Sequence, residues 1–271
     1  ESWVIYLILI LFSTFLNANE KIVLQLKWFH QFQFAGYYAA KEKGFYDEVG
    51  LNVEIRQRDL KYNNIDEVIN GNAQYGVADS ILILYRLKQQ PVVIVSPIFQ
   101  HSPSVFISLK KSNISSVYEL NNKDILFYPN DTDGFSLLAM IKKFDLDVNL
   151  VRERYKDDYM RLINNEVDVM PAYIANEPFL FKEKGYDVNI INPTNYGFDM
   201  YGDMLFTNED EAKNNPIRVE KFKEATLKGW KYALENKEEI IQLINEKYSK
   251  EKSIEHLRYE ANAIDSLINK D

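Results

Sequence analysis

The chain has 271 residues, 46% of them hydrophobic, enough for one large or two medium domains. Its 40 Asp and Glu outnumber 32 Lys and Arg, a net charge of −8 that argues against a nucleic-acid backbone as partner, since phosphate binding needs clustered cations. There is no cysteine, so disulfides, thiolate nucleophiles and cysteine-held metals are excluded together.

Trp3 to Leu16 is an apolar run without a charge, shorter than the ~20 residues a membrane span needs. Asn17, Ala18 and Asn19 follow it, then the charged Glu20 and Lys21. This pattern predicts a signal peptide cut after Ala18, or an anchor, over residues 1–19, and so a periplasmic or other extracytoplasmic location. The start at Glu1 predicts a basic leader ahead of it.

From Lys21 onward, short β-branched runs alternate with helical stretches. Strands are predicted over Ile22–Lys27, Leu51–Arg56, Tyr75–Ala78, Pro91–Ile98, Val105–Leu109, Ile125–Tyr128, Val148–Arg152, Val167–Met170 and Val188–Ile191. Helices are predicted over Phe34–Lys43, Asn64–Asn70, Ser80–Leu87, Gly134–Phe144, Asp157–Asn165 and Glu177–Lys184. Gly44, Gly71 and Gly185 stand where helices should stop. Alternation of this kind predicts an α/β fold with mostly parallel sheets, whose ligands sit outside the carboxyl ends of the strands. From Pro216 to Asn269 the pattern is almost wholly helical, and the chain stops inside a predicted helix, as a fragment of something longer would.

Leu26 to Leu51 reads L-K-W-F-H-Q-F-Q-F-A-G-Y-Y-A-A-K-E-K-G-F-Y-D-E-V-G-L. It resembles the opening of the family of thiamine-precursor-binding proteins, aliphatic-sulfonate-binding proteins and the fungal thiamine-pyrimidine synthase. Trp28, Ala40, Glu42, Lys43, Gly44, Phe45, Tyr46, Glu48, Gly50 and Leu51 carry the likeness. Val68 to Val77 and Asn208 to Phe222 add to it, and it spans roughly residues 21–250. The stretch from Trp28 through His30 to Tyr38 also resembles sensor modules joined to bacterial histidine kinases and cyclic-dinucleotide synthases. The resemblance implies a two-lobed type II periplasmic-binding fold. Lobe one would take residues 20–101 and return over 204–271 with the C-terminal helices; lobe two would take 102–203. Closure would be hinge motion about the two crossings.

Candidate binding residues follow. Trp28 ends the first strand; it can stack on a flat ring, as its counterpart in the pyrimidine binders does, or pack the first helix. Tyr173 and Glu177 lie four apart and can face one way. A Tyr wall beside a carboxyl that accepts from an amino group, or donates to a ring nitrogen, would clamp an aminopyrimidine. The resemblance places a Tyr and a Glu at this spacing. Asn130 and Thr132, with Asp131 and Asp133, precede a helix and read as capping or as a binding edge for a neutral or cationic group. Asp79 and Ser80, and His30, Gln31 and Phe34 on the first loop, are further cleft-edge candidates.

The synthase branch uses a cysteine-rich stretch, absent here, and a Lys and a His four residues apart. Alignment on Gly76 puts Ala78 and Leu82 at those positions, neither of which can form an aldimine or supply an imidazole. No phosphate loop, nucleophile elbow or paired-His motif occurs, so neither cofactor nor metal is expected. The sequence thus predicts a non-enzymatic binder of a small molecule, with an aminopyrimidine favoured and a sulfonate next. Its partner would be a membrane permease or its own downstream signalling domains.

Overall fold

A computed structural model describes residues 19–127, 133–154 and 157–268. The predicted signal segment up to Ala18 therefore lies outside the described residues, as do Asn130 and Thr132.

The strands are β1 (Glu20–Gln25), β2 (Leu51–Arg56), β3 (Tyr75–Ala78), β4 (Val92–Pro97), β5 (Ser104–Leu109), β6 (Asp124–Phe127), β7 (Asn149–Arg152), β8 (Met170–Tyr173), β9 (Val188–Ile191) and β10 (Met204–Asn208). The helices are α1 (Ala35–Glu42), α2 (Phe45–Glu48), α3 (Asn64–Ile69), α4 (Leu82–Leu87), α5 (Phe135–Lys143), α6 (Asp158–Ile163), α7 (Glu177–Glu183), α8 (Glu209–Asn214), α9 (Pro216–Glu235), α10 (Lys237–Lys247) and α11 (Ile254–Asp265). None of them is long and apolar enough to cross a membrane among the described residues.

The protein is two-lobed. The first lobe holds a five-stranded sheet in the order β2-β1-β3-β10-β4. The second holds a three-stranded sheet, β8-β5-β9, and the pair β6-β7, joined just ahead of β8 by an Ile125–Val169 bridge. The sheets are mixed rather than mostly parallel. β1 runs parallel to β2 and β3, and β6 to β7, but β10 is antiparallel to both its neighbours and β5 to both of its own. The reason is topological: β5 and β10 are the first strands after each crossing between lobes, so they enter their sheets from the opposite end.

Local chemistry explains the elements. β2 alternates buried Leu51, Val53 and Ile55 with exposed Asn52 and Glu54, the period of a half-buried strand. Asn63 caps α3 by accepting from Ile65 N at 2.8 Å. Gly44, at φ +79°, turns the chain between α1 and α2 in a conformation that disfavours side chains. The predicted strand Val167–Met170 starts three residues later, at Met170.

Helix α9 lies on α1 at a crossing made of small residues. A Cβ at Gly229 would fall 2.2 Å from the Gly36 carbonyl, and one at Gly36 would fall 2.1 Å from the Trp230 ring. The crossing segments, 98–103 and 192–203, are laced together. Ile98 N and Phe99 N both donate to Asp203 O at 2.9 Å, and Gly202 N returns a bond to Phe99 O at 2.9 Å.

Candidate functional site

A cavity of about 150 Å³ lies between the lobes. Lys27, Trp28, Gln31 and Gln33 line it from the first lobe; Asp133, Glu153, Asp158, Tyr159, Met170, Pro171, Tyr173, Asn176, Glu177 and Leu180 line it from the second. Lys27 and Trp28 follow β1, Glu153 follows β7, and Tyr173 closes β8. For the parallel strands β1 and β7 this is the carboxyl end, where an α/β sheet leaves its loops free to bind.

Lys27 ties the lobes. Its Nζ is 2.9 Å from Asp133 and 3.3 Å from Asp203, hydrogen-bonds the Tyr173 hydroxyl, and lies 5.0 Å from the Tyr173 ring centre. Burial alone would lower its pKa, but Asp133, then Asp203 and Asp79, outweigh burial and hold it above the ordinary lysine value. Asp133 is held below the usual carboxylate range, because Lys27 and its hydrogen bonds outweigh burial. Asp79, buried beside Asp133, is pushed well up. Asp203 accepts from Gln33 Nε2 at 2.7 Å and from the Tyr173 hydroxyl at 3.1 Å.

Tyr173 and Glu177 form the corner between β8 and α7. The Glu177 carboxylate turns back to accept from Tyr173 N and from Asn176 Nδ2, each at 2.7 Å, and burial raises its pKa. Helix α11 reaches across to this corner from the first lobe. Tyr259 donates to Ile174 O at 2.9 Å, Lys252 donates to Asn176 Oδ1 at 2.7 Å, and His256 Nε2 meets the same oxygen at 2.9 Å. At the far end of α11, Leu267 O accepts from Gln100 N at 2.9 Å, on the first crossing.

His256 is buried in this contact, and burial, then the nearby Lys252 charge, lower its pKa from 6.5 to about 4. An unfolded chain binds a proton there between those values and the folded chain does not, so this residue makes stability fall as pH drops through that window. Exchanging His256 for Gln is expected to flatten the fall in stability between pH 7 and pH 5 by on the order of 2 kcal/mol. Denaturant titrations of both proteins at the two pH values check it; parallel slopes would reject it.

Of the sequence candidates, Trp28, Tyr173, Glu177 and Gln31 are brought together at the cavity. Phe34 is not: a 3-10 turn over Phe32–Phe34 rotates its side chain into the first-lobe core, where it is fully buried. His30 lies beside the cavity rather than on it, with Nδ1 2.9 Å from the Tyr38 hydroxyl and its ring against Tyr248. Asp79 and Ser80 stand behind the wall. Asp79 accepts from Ile81 N and, across the lobes, from Gly134 N, while Ser80 donates to Tyr201 O. Lys27, Glu153, Asp158 and Asp203 were not singled out from the sequence. The rule that ligands gather at the carboxyl ends of parallel strands points to the first two.

Carboxyls crowd the site. Asp79, Asp133, Glu153, Asp158, Asp203 and Glu260 are buried on or next to the cavity, and Glu177 lines it half-buried. The cations in ion-pair contact with them among the described residues are Lys27, Arg161 and Lys252. Among the described residues no group of His, Asp and Glu side chains is arranged to hold a metal ion.

The architecture is that of the type II periplasmic-binding proteins. The periplasmic aliphatic sulphonate-binding protein SsuA of Escherichia coli superposes with a TM-score of 0.70 at 12% identity, over 90% of this chain and 83% of that one, a likeness of fold. The profile of the NMT1/THI5-like family matches residues 31–240, and the chain belongs to that family. Riboflavin-binding protein RibY of Chloroflexus aurantiacus is 26% identical over 236 residues, 83% of this chain and 65% of that protein. The formylaminopyrimidine-binding protein of Halalkalibacterium halodurans is 23% identical over 233 residues, 84% of this chain and 71% of that protein. The chain thus spans 65% of the length of the first of these relatives.

Proposed function

We propose that the chain is the extracytoplasmic ligand-binding part of a solute-uptake system, which closes its lobes on a small aminopyrimidine and passes it to a membrane permease. The observation that carries this is the cavity wall: Trp28 and Tyr173 as aromatic faces, with the half-buried carboxyl of Glu177, at the start of α7, beside Tyr173. A carboxyl whose pKa is raised can donate to a ring nitrogen or accept from an exocyclic amine. The volume of about 150 Å³ is that of an engineered cavity that takes up benzene, which suits one ring better than the fused rings of a flavin. An acidic wall also disfavours sulfonate and nitrate. Lys27 is held protonated by Asp133, so it offers no free amine for aldimine chemistry, and binding is a better reading than catalysis. A second reading, the sensor domain of a membrane signalling protein, is favoured by α11, which joins the cavity corner to the first crossing.

Calorimetric titration tests the first reading. An aminopyrimidine of the thiamine-precursor type is expected to bind, and at 100 times its Kd to add ~2.7 kcal/mol of stability. Trp28→Ala and Glu177→Gln should each weaken it by about tenfold or more. Absence of any pyrimidine binding, with a sulfonate or flavin binding instead, would overturn the assignment.

A further inference from the structure

Among the described residues, every carboxyl around the cavity has its needs met inside the protein, except one. Asp133 and Asp203 face Lys27, and Asp158 takes Arg161 at 3.2 Å and the Arg154 N–H at 2.7 Å. Asp79 and Glu177 accept backbone N–H groups. Glu153 differs. It is 7% exposed, it lines the cavity, and among the described residues its carboxyl has neither a hydrogen-bond nor an ion-pair partner. Its backbone is fixed by a 2.9 Å bond from Glu153 N to Phe127 O, at the end of β7. A buried polar group without a partner is costly, and such groups persist where a ligand completes them.

We propose that Glu153 is the anchor for a positively charged amine on the ligand, so that the cavity selects flat-ring molecules carrying an ammonium arm. The inference rests on the ring-binding reading above and adds a second point of recognition to it. Two features give the arm its sign. Carboxyls around the cavity outnumber the cations that pair with them, so an incoming ammonium relieves an excess of negative charge, whereas an anion would add to it. Met170, Pro171 and Leu180 on the same wall keep water from screening the pair. Burial, then the neighbouring Asp158 and Asp133, push the Glu153 carboxyl well above its usual range.

The test compares two probes on the whole chain by calorimetry: a methyl-aminopyrimidine with an aminomethyl arm, and its hydroxymethyl counterpart of equal length. The protein should prefer the aminomethyl probe by about 10- to 100-fold, the range of a hydrogen bond to a charged group. In Glu153→Gln the ratio of the two Kd values should fall close to one. Because the ratio is taken within one protein, partial unfolding of the variant does not affect it. A ratio that survives Glu153→Gln, with both probes bound, overturns this inference and leaves the aminopyrimidine reading intact. If neither probe binds the unmodified protein, the aminopyrimidine reading falls and takes the inference with it.

Discussion

Replacing Lys27 with Met is expected to lower the unfolding free energy by about 3–5 kcal/mol at pH 7, the cost of leaving buried carboxylate uncompensated. The side chain is 3% exposed and answers Asp133 and Asp203 directly. A Met fills much of the same space but leaves Asp133 charged and dry. Protonation can rescue it, so the sign with pH is defined. Lys27 depresses the Asp133 pKa, and a depressed carboxyl contributes stability that is present at neutral pH and lost as pH falls through its folded value. The penalty of Lys27→Met should therefore shrink towards pH 4. Adding Asp133→Asn should recover part of it at pH 7, because the nearer of the two carboxylates is then removed while Asp203 stays. Urea denaturation followed by tryptophan fluorescence measures all three. A loss below about 1 kcal/mol in the single variant would show that the cluster holds a different charge state.

Trp230→Ala should cost a similar amount, about 3–5 kcal/mol, from lost burial and the cavity left behind. Trp230 is 3% exposed, wedged over Gly36, with Tyr37 at 5.8 Å and Phe99 at 5.9 Å in edge-to-face contact. The α1–α9 crossing is built around this ring, and backbone contact at Gly229 keeps the helices from closing the gap. Phe99 belongs to the first crossing, so the same variant should loosen the hinge. Differential scanning calorimetry gives the stability. Hydrogen exchange at Ile98 and Phe99, whose N–H groups bond Asp203 O, reports the hinge. Unchanged protection there would separate the core of the first lobe from the hinge.

Much of the architecture was legible in the chain because its strands and helices keep their periods. Leu51–Arg56 and Tyr75–Ala78 match the sequence reading residue for residue. β10 was not seen. Met204–Leu205–Phe206–Thr207 is buried on both faces and has no alternation to reveal it, and a helix follows at once. The mixed sense of the sheets was equally hidden, since strand direction after a crossing is a property of topology. At the site, Trp28, Tyr173 and Glu177 were named through a family likeness. Lys27 was passed over because a lysine beside an exposed-looking loop reads as a surface charge until three distant carboxylates are brought to it. Glu153 follows the short, mostly exposed β7, and nothing local marks it as buried.

Helix α11 changes what hinge motion means here. Two crossings alone would define an axis, and the second lobe could swing about it. The bonds of Tyr259, His256 and the preceding Lys252 to the 174–176 corner give the second lobe a further attachment, and the bond from Gln100 N to Leu267 O, just past the helix end, pins it to the first crossing. A body held at a third place beyond its axis is no longer free to swing. Opening the cleft therefore requires α11 either to release that corner or to travel with it and leave the first lobe, and each route breaks the same few bonds. On the proposed closure of the lobes, ligand entry and the seating of this helix would be one equilibrium, and whatever steadies the helix would also retain the ligand, by an equal free energy in both directions.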